Sequence, residues 1–316
     1  MDDLVIALEG TLLASINRDL KKFITRNQNT KFLIVSDYCL DDKFKPNKVA
    51  SFTIIPYDFD LSEYTKRLQK MAPRDLKRSR KVNESFVEHI SEKRIFSVSF
   101  VFENLQGLTQ GATAVGKDFI NPRIDNTISM IKVWIKNQPD QKEYYKSIIK
   151  KLIVLKANIN SKSPNLNLYR YVVLIPLLAG YLAYLLSKEA NAEIVGWFSD
   201  RDKIVDAWNG VALDGFALNH NAFCERNGLE SSKTKIVMGA SSASDKKLWS
   251  DEFNRIPDHL AGALASWDMS TNLCTQTKHM RLMEGCFADN DFCAIVKVNI
   301  EASNYQFSRV VVTTSN

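Results

Sequence analysis

The chain has 316 residues, of which 45% are hydrophobic and 25% charged, values that are ordinary for a soluble globular protein with a sizeable core. Its formal net charge of +6 at pH 7 permits a polyanionic partner without requiring one. The 5 cysteines form no CxxC pair, which argues against a disulfide framework and favours a reducing, cytoplasmic compartment. The acidic opening MDDLVIALEG is unlike a secretory signal peptide.

Apolar runs and their periodicity predict alternating blocks of strands and helices. The predicted strands cover 3–8, 31–37, 49–56, 94–103, 192–200, 234–241, 293–300 and 308–314. The predicted helices cover 11–26, 60–92 with a break at Pro73, 124–137, 140–158, 166–190, 203–228 and 245–269. The glycine- and threonine-rich loop 104–118 lacks a phosphate-loop motif, because Asp118 stands where GxxxxGK requires Ser or Thr.

This order of elements predicts an α/β fold in one domain over residues 1–316. Three strands come first, helices follow, and the chain then alternates strand, helix, strand, helix. The region 104–165 is predicted to be a helical and loop insertion. Residues 290–316 are predicted to hold two C-terminal strands that form a hairpin.

One apolar stretch, YVVLIPLLAGYLAYLL at 171–186, requires a decision between a core helix and a membrane span. It is shorter than the roughly 20 residues that a span requires. Pro176 interrupts it, and Arg170 and Lys188 close on its ends. A buried core helix is therefore predicted, and no membrane partner is expected.

Four aspartates occupy related places in the predicted elements. Asp37 and Asp200 each end an apolar strand, Asp75 lies in PRDLKRSRK, and Asp258 lies in RIPDHLAGALA. Strand-end carboxylates converge on one edge of a sheet, and carboxylate oxygens are the ligands that Mg²⁺ prefers. Two divalent ions roughly 3.5–4 Å apart can activate a water and stabilise the leaving oxygen of a phosphodiester. The set therefore predicts a catalytic site of all four, with Mg²⁺ or Mn²⁺ held by Asp37, Asp200 and Asp258.

The helix predicted around Asp258 has a face of small residues. Ala261, Gly262 and Ala265 follow Asp258 at spacings of three, four and seven, so they share its side of the helix. Such a face allows the helix backbone to approach another element closely, with the short carboxylate projecting into the contact.

Each aspartate also has a purely structural interpretation. An aspartate that ends a strand commonly begins a turn or caps the next helix, which applies to Asp37 and Asp200. Asp258 follows Pro257 and can complement the helix dipole as an early helical residue. Asp75 can pair with its basic neighbours on a solvated face. The combination and order of the four residues carry the functional interpretation.

The segment RDLKRSRK at 74–81 is strongly basic and adjoins Asp75. Positive side chains beside a phosphodiester site neutralise phosphates, so nucleic acid, either DNA or RNA, is the expected partner. The predicted substrate-binding residues are Lys77, Arg78, Arg80 and Lys81, with Arg74 in the same run. The alternative is a solvated helix face. His259 adjoins Asp258, but capping or surface use is favoured for it over substrate contact.

The order of these acidic motifs resembles a family of bacterial proteins, defined as a domain of unknown function, with a ribonuclease H-like fold. IVSDYCLDD supplies an opening aspartate, Asp37, and DLKRSRK resembles an acid–Leu–Lys element through Asp75 and Lys77. IVGWFSDRD supplies Asp200, and IPDHLAGALA matches the final helix through Asp258. The resemblance covers about 31–268 and implies a ribonuclease H-like mixed sheet of about five strands with flanking helices.

The resemblance also implies metal-dependent nuclease activity, often associated with mobile elements or phage defence, and a protein partner is a further expectation. The family's opening strand ends in Asp-Glu-Ser-Gly, whereas Tyr38, Cys39 and Leu40 follow Asp37 here. The second acid is Asp where the family usually has Glu, and Pro257 stands where a small residue is usual. These departures leave open an active enzyme and a degenerate one that only binds.

Three hypotheses therefore follow from the sequence. The first is a Mg²⁺- or Mn²⁺-dependent nuclease that hydrolyses phosphodiester bonds with water as the nucleophile. The second is a catalytically inactive binding or scaffold subunit on the same ribonuclease H-like fold. The third is an unrelated α/β hydrolase or partner-binding subunit, which is favoured if Asp37, Asp200 and Asp258 lie far apart.

Overall fold

A computed structural model of the chain describes residues 2–110, 114–239, 248–302 and 304–314. The helices are α1 Asp2–Ser15, α2 Asn17–Asn27, α3 Leu61–Met71, α4 Glu84–Ser91, α5 Ala114–Asn137, α6 Lys142–Ile159, α7 Leu166–Ala190, α8 Lys203–Arg226, α9 Asp251–Ser266 and α10 Thr277–Leu282. The strands are β1 Lys31–Cys39, β2 Lys48–Pro56, β3 Phe96–Asn104, β4 Ile194–Ser199, β5 Lys235–Met238, β6 Trp267–Asp268, β7 Leu273–Cys274, β8 Cys293–Ile300 and β9 Tyr305–Val310.

The strands form a mixed seven-stranded sheet in the order β5-β4-β1-β2-β3-β8-β9. Strands β1, β2 and β3 form an antiparallel meander, while β4 runs parallel to β1 and β5 parallel to β4. Strand β8 runs parallel to β3, and β9 returns antiparallel to it. The prediction of an α/β fold with flanking helices is confirmed. Seven strands replace the predicted five, because the C-terminal pair extends the sheet beyond β3.

Helices cover both faces of the sheet, and the alternation of side chains along β1 divides the core in two. Phe32 and Ile34 join the larger core, under α1, α2 and α5 to α8. Leu33 and Val35 join the second core, under α3, α4, α9 and α10. The helices α5 and α6 lie within the region 104–165 and pack against each other.

The apolar helix α7 lies in the larger core. It is, among the described residues, the one helix long and apolar enough to cross a membrane by length and composition. Of its most apolar 18-residue window, 83% is buried inside the protein. A core helix accounts for this burial, as the sequence predicts.

One sequence prediction of local structure is wrong, and two others, including the helix 60–92 whose break at Pro73 is confirmed, differ in their bounds. Residues 3–8 form the first part of helix α1, not a strand: Leu4, Leu8 and Leu12 recur every four residues and share a buried face. A short apolar run does not by itself distinguish the two structures. The predicted helix 60–92 is divided into α3, a 3₁₀ turn at Leu76–Arg78 and α4. The last strand ends at Val310 rather than at 314. Residues 245–247 of the predicted helix 245–269 lie outside the described residues.

A buried ion pair joins the two ends of the chain. Asp19 of α2 is 0% exposed, and its carboxylate accepts a hydrogen bond from Arg309 of β9 at 2.6 Å. Lys22 donates to the same carboxylate at 3.2 Å. Burial opposes ionisation of Asp19, but the hydrogen bonds from Arg309 and Lys22 outweigh it, so the net pKa is lowered.

Replacing Arg309 with glutamine should destabilise the protein by roughly 3–5 kcal/mol at pH 7, because a buried carboxylate loses its main partner. The lowered pKa of Asp19 contributes stability above the pKa of the unfolded chain, and this contribution is lost as the pH falls through the folded-state pKa. The difference in the free energy of unfolding between Arg309→Gln and the wild type should therefore become smaller below about pH 4. Urea denaturation at several pH values measures it.

Arg18→Gln provides the matched control. Arg18 lies 3.5 Å from the same carboxylate but is 76% exposed, so its loss should cost less than about 1 kcal/mol. Equal destabilisation by both substitutions would contradict a dominant role for Arg309.

Candidate active site

Two of the predicted acids stand side by side at one edge of the sheet. Asp37 lies near the end of β1, and Asp200 directly follows β4. The parallel register of these strands ends with the pair Ser36 and Ser199, and the Asp200 amide donates to the Ser36 carbonyl at 2.9 Å. Neighbouring strands are about 4.8 Å apart. Asp37 and Asp200 therefore lie side by side at the ends of two adjacent strands.

Both carboxylates also point to the same side of the sheet. Asp37 is two residues beyond Val35, and Asp200 is two residues beyond Phe198, so each continues a row of alternate side chains. Val35 and Phe198 belong to the second core, which α9 covers. The two aspartates therefore lie on the face of the sheet that carries helix α9.

Helix α9 lies across β1, β2 and β3 and is held at both ends by asparagines. With its amide oriented so that both polar atoms are satisfied, Asn254 donates to the Phe198 carbonyl at 3.0 Å and accepts from the Asp200 amide at 3.2 Å. Asn47, just before β2, donates to the carbonyl groups of Leu264 and Trp267 at 2.8 and 2.6 Å. These contacts fix Asp258 of α9 relative to the ends of β1 and β4.

The small face of α9 receives the 3₁₀ turn that follows Asp75. A Cβ atom added at Gly262 would stand 2.6 Å from Leu76 Cδ2, so the absence of a side chain there permits the contact. Asp258 Oδ2 accepts a hydrogen bond from the Leu76 amide at 2.7 Å. Lys278 donates to the carbonyl groups of Leu76 and Ser79 at 2.7 and 2.8 Å and holds the turn from its other side. The predicted close approach at the small face is confirmed.

Burial and neighbouring carboxylates raise the pKa of three of the predicted acids. Burial raises the pKa of Asp37 well above its usual range, and the charges of Asp258 and Asp200 raise it further. Burial also raises the pKa of Asp200, with additional contributions from the charges of Asp251, Asp258 and Asp75. The pKa of Asp258 is raised by burial and by Asp75, against a lowering contribution from the Leu76 amide. The four predicted acids therefore form one electrostatically coupled cluster.

Little positive charge compensates this cluster. Within the ranges that the structure describes, neither Asp37 nor Asp200 has an ion-pair partner. His259 lies 3.6 Å from Asp258, but burial lowers its pKa to about 4, so it is neutral at pH 7. Asp75 differs, because it is 39% exposed and pairs with Arg255 at 3.2 Å. Uncompensated, partly buried carboxylates that face one another are expected at a site that receives a cation.

The basic residues predicted to bind substrate are exposed beside the cluster. Arg74, Lys77, Arg78, Arg80 and Lys81 are all exposed on the segment between α3 and α4. That segment contains a 3₁₀ turn rather than an α-helix, and the exposure of its basic side chains agrees with the solvated-surface alternative as well as with substrate binding. The positive charge of Lys77 lowers the pKa of Asp258, which places this side chain within electrostatic reach of the carboxylates.

Two further lysines face the site, and neither was predicted from the sequence. The charge of Lys45, in the loop between β1 and β2, also lowers the pKa of Asp258. Burial and the charge of Lys45 lower the pKa of Lys278, and the charge of Asp258 partly opposes this lowering. Lys45 follows Asp37 by eight residues in a hairpin loop, which is a detectable signal. No sequence pattern connects Lys278 with Asp258.

The donor set suits a hard divalent cation, although the carboxylates do not enclose a metal-sized position. No group of three or more His, Cys, Asp or Glu side chains in the described part of the chain is placed so as to hold a metal ion. Asp37, Asp200 and Asp258 nevertheless provide the carboxylate oxygens that Mg²⁺ and Mn²⁺ take, and Mg²⁺ retains waters in part of its shell.

Hydroxyl groups hold the ends of β1 and β4 together on the opposite face of the sheet. The Tyr38 hydroxyl lies 2.7 Å from Ser36 Oγ and 2.8 Å from Ser199 Oγ. Trp197 Nε1 donates to Ser36 Oγ at 2.9 Å. This network supports the adjacent positions of Asp37 and Asp200. Tyr38 therefore contributes to the structure through this network.

A cavity of about 710 Å³ lies on that opposite face, among α1 and α5 to α8. Its walls are mostly apolar, and its Asp214 is already paired with Lys151 at 2.7 Å. It lies apart from the carboxylate cluster and offers no comparable set of converging acids. Comparisons with protein-family models, curated proteins and solved structures find no match to this chain.

Asp37→Asn should stabilise the metal-free protein at pH 7. A folded-state pKa raised above that of the unfolded chain contributes stability at low pH that is lost as the pH rises through the folded value. The asparagine side chain is neutral, so this loss of stability does not occur. Its oxygen can still accept the hydrogen bond that the Tyr38 backbone amide donates to Asp37 Oδ1 at 2.6 Å. The advantage should vanish below about pH 4, where the carboxyl is protonated in both states. Urea denaturation in EDTA measures it.

Asp118→Asn is the control, since Asp118 is an exposed aspartate of α5 on the other side of the sheet. It should change the free energy of unfolding by less than about 0.5 kcal/mol. An Asp37→Asn variant less stable than wild type at pH 7 would show that the carboxylates do not repel one another.

Proposed function

We propose that this protein is a metal-dependent nuclease with a ribonuclease H-like fold. The observation that carries the proposal is the convergence of Asp37, Asp200 and Asp258, which come from two neighbouring strands and one helix. The charges of Asp258 and Asp200 raise the pKa of Asp37, and in the described ranges neither Asp37 nor Asp200 has an ion-pair partner, as a cation site would require. The third hypothesis, an unrelated α/β hydrolase or partner-binding subunit, would be favoured by wide separation of these residues and is not favoured by their grouping at one edge of the sheet.

The arrangement of strands also favours a ribonuclease H-like core. Read without β8 and β9, the order is β3-β2-β1-β4-β5, with β2 alone running against the others. This is the arrangement expected of a ribonuclease H-like mixed sheet. It places the first strand in the centre with the fourth beside it, so that their terminal acids are neighbours.

Within this proposal, Asp37 and Asp200 hold Mg²⁺ or Mn²⁺ from the two strands, and Asp258 completes the set from α9. The ion would polarise a phosphodiester oxygen and lower the pKa of a bound water. Asp75, oriented by Arg255, would hold a water in position. Lys77 and Lys45 would bind phosphate oxygens at the rim, with Arg78, Arg80 and Lys81 further along the same segment. Hydrolysis would use water as the nucleophile.

A non-catalytic binding or scaffold protein is the second candidate. It is favoured by the absence, in the described ranges, of an acidic group already placed to hold a metal ion. It is also favoured by the Leu76 amide, which already occupies one oxygen of Asp258. Such a protein would use the basic segment to bind nucleic acid or a protein partner. Under either candidate, a cytoplasmic location and a role associated with mobile elements or phage defence are part of the proposal.

Asp200→Asn should abolish Mn²⁺-dependent cleavage of nucleic acid. The substitution preserves shape but removes the charge of one ligand, and a loss of about 3 kcal/mol of transition-state stabilisation corresponds to a rate reduction of roughly 100-fold. The measurement is cleavage of labelled single- and double-stranded DNA and RNA by purified protein. Asp118→Asn should retain the wild-type rate. Cleavage unchanged in Asp200→Asn would remove the mechanism.

Mn²⁺ should raise the melting temperature of the wild-type protein but not that of Asp200→Asn. At a concentration 100-fold above the dissociation constant, a ligand specific for the folded state stabilises it by about 2.7 kcal/mol. Differential scanning fluorimetry over a Mn²⁺ titration measures the shift, with Asp118→Asn as control. No shift in the wild type, together with retained nucleic-acid binding, would favour the non-catalytic candidate.

A further inference from the structure

The loop at 40–47, between β1 and β2, carries an aromatic side chain into solvent beside the carboxylate cluster. Phe44 is 94% exposed, more than any other large hydrophobic residue in the described ranges. The loop follows Cys39, the last residue of β1 and two residues beyond Asp37, and therefore lies at the same edge of the sheet. A fully exposed phenylalanine gains nothing from the core of this chain, so its position is not explained by folding.

The loop is held firmly. Asp42 accepts a hydrogen bond from the Phe44 amide at 3.0 Å, which closes a tight turn. Asp41 pairs with Lys203 at the beginning of α8. At the other end of the loop, the Asn47 amide donates to the Ala265 carbonyl at 3.1 Å. Phe44 is therefore presented on a fixed turn, and a contact with it would require little ordering of the backbone.

Basic residues flank Phe44 in the sequence, and other basic residues lie beside the carboxylate cluster. Lys43 and Lys45 flank Phe44 directly, and Lys48 begins β2. Lys45 lies 3.4 Å from Cys39 Sγ, and its charge acts on Asp258. The exposed basic segment 74–81 stands beside the cluster as well. The carboxylates thus lie within reach of two basic segments, of which one carries an exposed aromatic ring.

We propose that this loop binds single-stranded nucleic acid, with Phe44 stacking on an unpaired base and Lys43, Lys45 and Lys48 contacting phosphates. The inference rests on the proposed nuclease function and specifies its substrate class. Aromatic rings that stack on successive bases, combined with a basic groove, are the means by which proteins bind single strands without reading their sequence. In a duplex the base faces are stacked on one another and closed to a side chain, so an exposed ring favours the single strand.

The test measures binding rather than cleavage, so that it can fail independently of the nuclease proposal. Fluorescence anisotropy follows labelled oligo(dT) and oligo(U) of roughly 15 nucleotides, a length within the site size of such grooves. Matched DNA and RNA duplexes are measured beside them, with EDTA present in one series and Ca²⁺ in another. Wild-type protein should bind the single strands at least 10-fold more tightly than the duplexes.

Phe44→Ala should weaken single-strand binding by roughly 5- to 150-fold, which corresponds to 1–3 kcal/mol for one stacked base, and should leave duplex binding unchanged. Phe44→Trp should restore the affinity. Lys43→Gln should lower the slope of log K against log salt by about 0.7, the value for one phosphate contact on a single strand. Val311→Ala, at a 71% exposed site beyond β9, is the control and should have no effect.

Tighter binding to duplex, or a Phe44→Ala variant that binds single strands as the wild type does, would overturn the inference. The two proposals remain distinguishable. If single-strand binding depends on Phe44 but no Mn²⁺-dependent cleavage is seen, the binding role of the loop is supported and the nuclease proposal is refuted. If cleavage depends on Asp200 but Phe44→Ala has no effect on binding, the nuclease proposal is supported and the binding role of the loop is refuted.

Discussion

The packing of helix α9 against the ends of β1 and β4 is the constraint on which the candidate site depends. Gly262 permits Leu76 to lie against the helix, and the Leu76 amide binds Asp258. Asn254 joins the same helix to the end of β4. The same contacts that pack the helix against the sheet therefore also position the Asp258 carboxylate.

The carboxylate cluster has an energetic cost that the rest of the fold must offset. Asp37, Asp200 and Asp258 are partly buried, burial raises the pKa of all three, and the charges of Asp258 and Asp200 raise the pKa of Asp37 further. The histidine beside Asp258, His259, is neutral at pH 7. By contrast, the buried carboxylate of Asp19 is fully compensated by Arg309 and Lys22. The buried Asp19 thus has basic partners, whereas Asp37 and Asp200, at the edge of the sheet, have no ion-pair partner among the described residues. This contrast supports a functional rather than a structural explanation of the cluster.

The two faces of the sheet differ in what packs against them. One face carries the large apolar core with α7 at its centre, and the hydroxyl network of Tyr38, Ser36 and Ser199 lies on that side. The other face carries the carboxylates, α9 and the basic segment 74–81. Because the first face is rigidly packed, the strand ends that bear Asp37 and Asp200 have fixed positions, as a preorganised site requires.

The sequence alone determined the α/β class, the strands that carry Asp37 near one end and precede Asp200, and the small face beside Asp258, because these follow from side-chain periodicity along a single element. It did not distinguish a strand from a helix at 3–8, since a short apolar run fits both. The joining of β8 and β9 to the sheet, the proximity of Lys278 to Asp258 and the contact of Gly262 with Leu76 were decided by tertiary structure. Those contacts join residues that the chain separates widely, and only the packing of complete elements selects them.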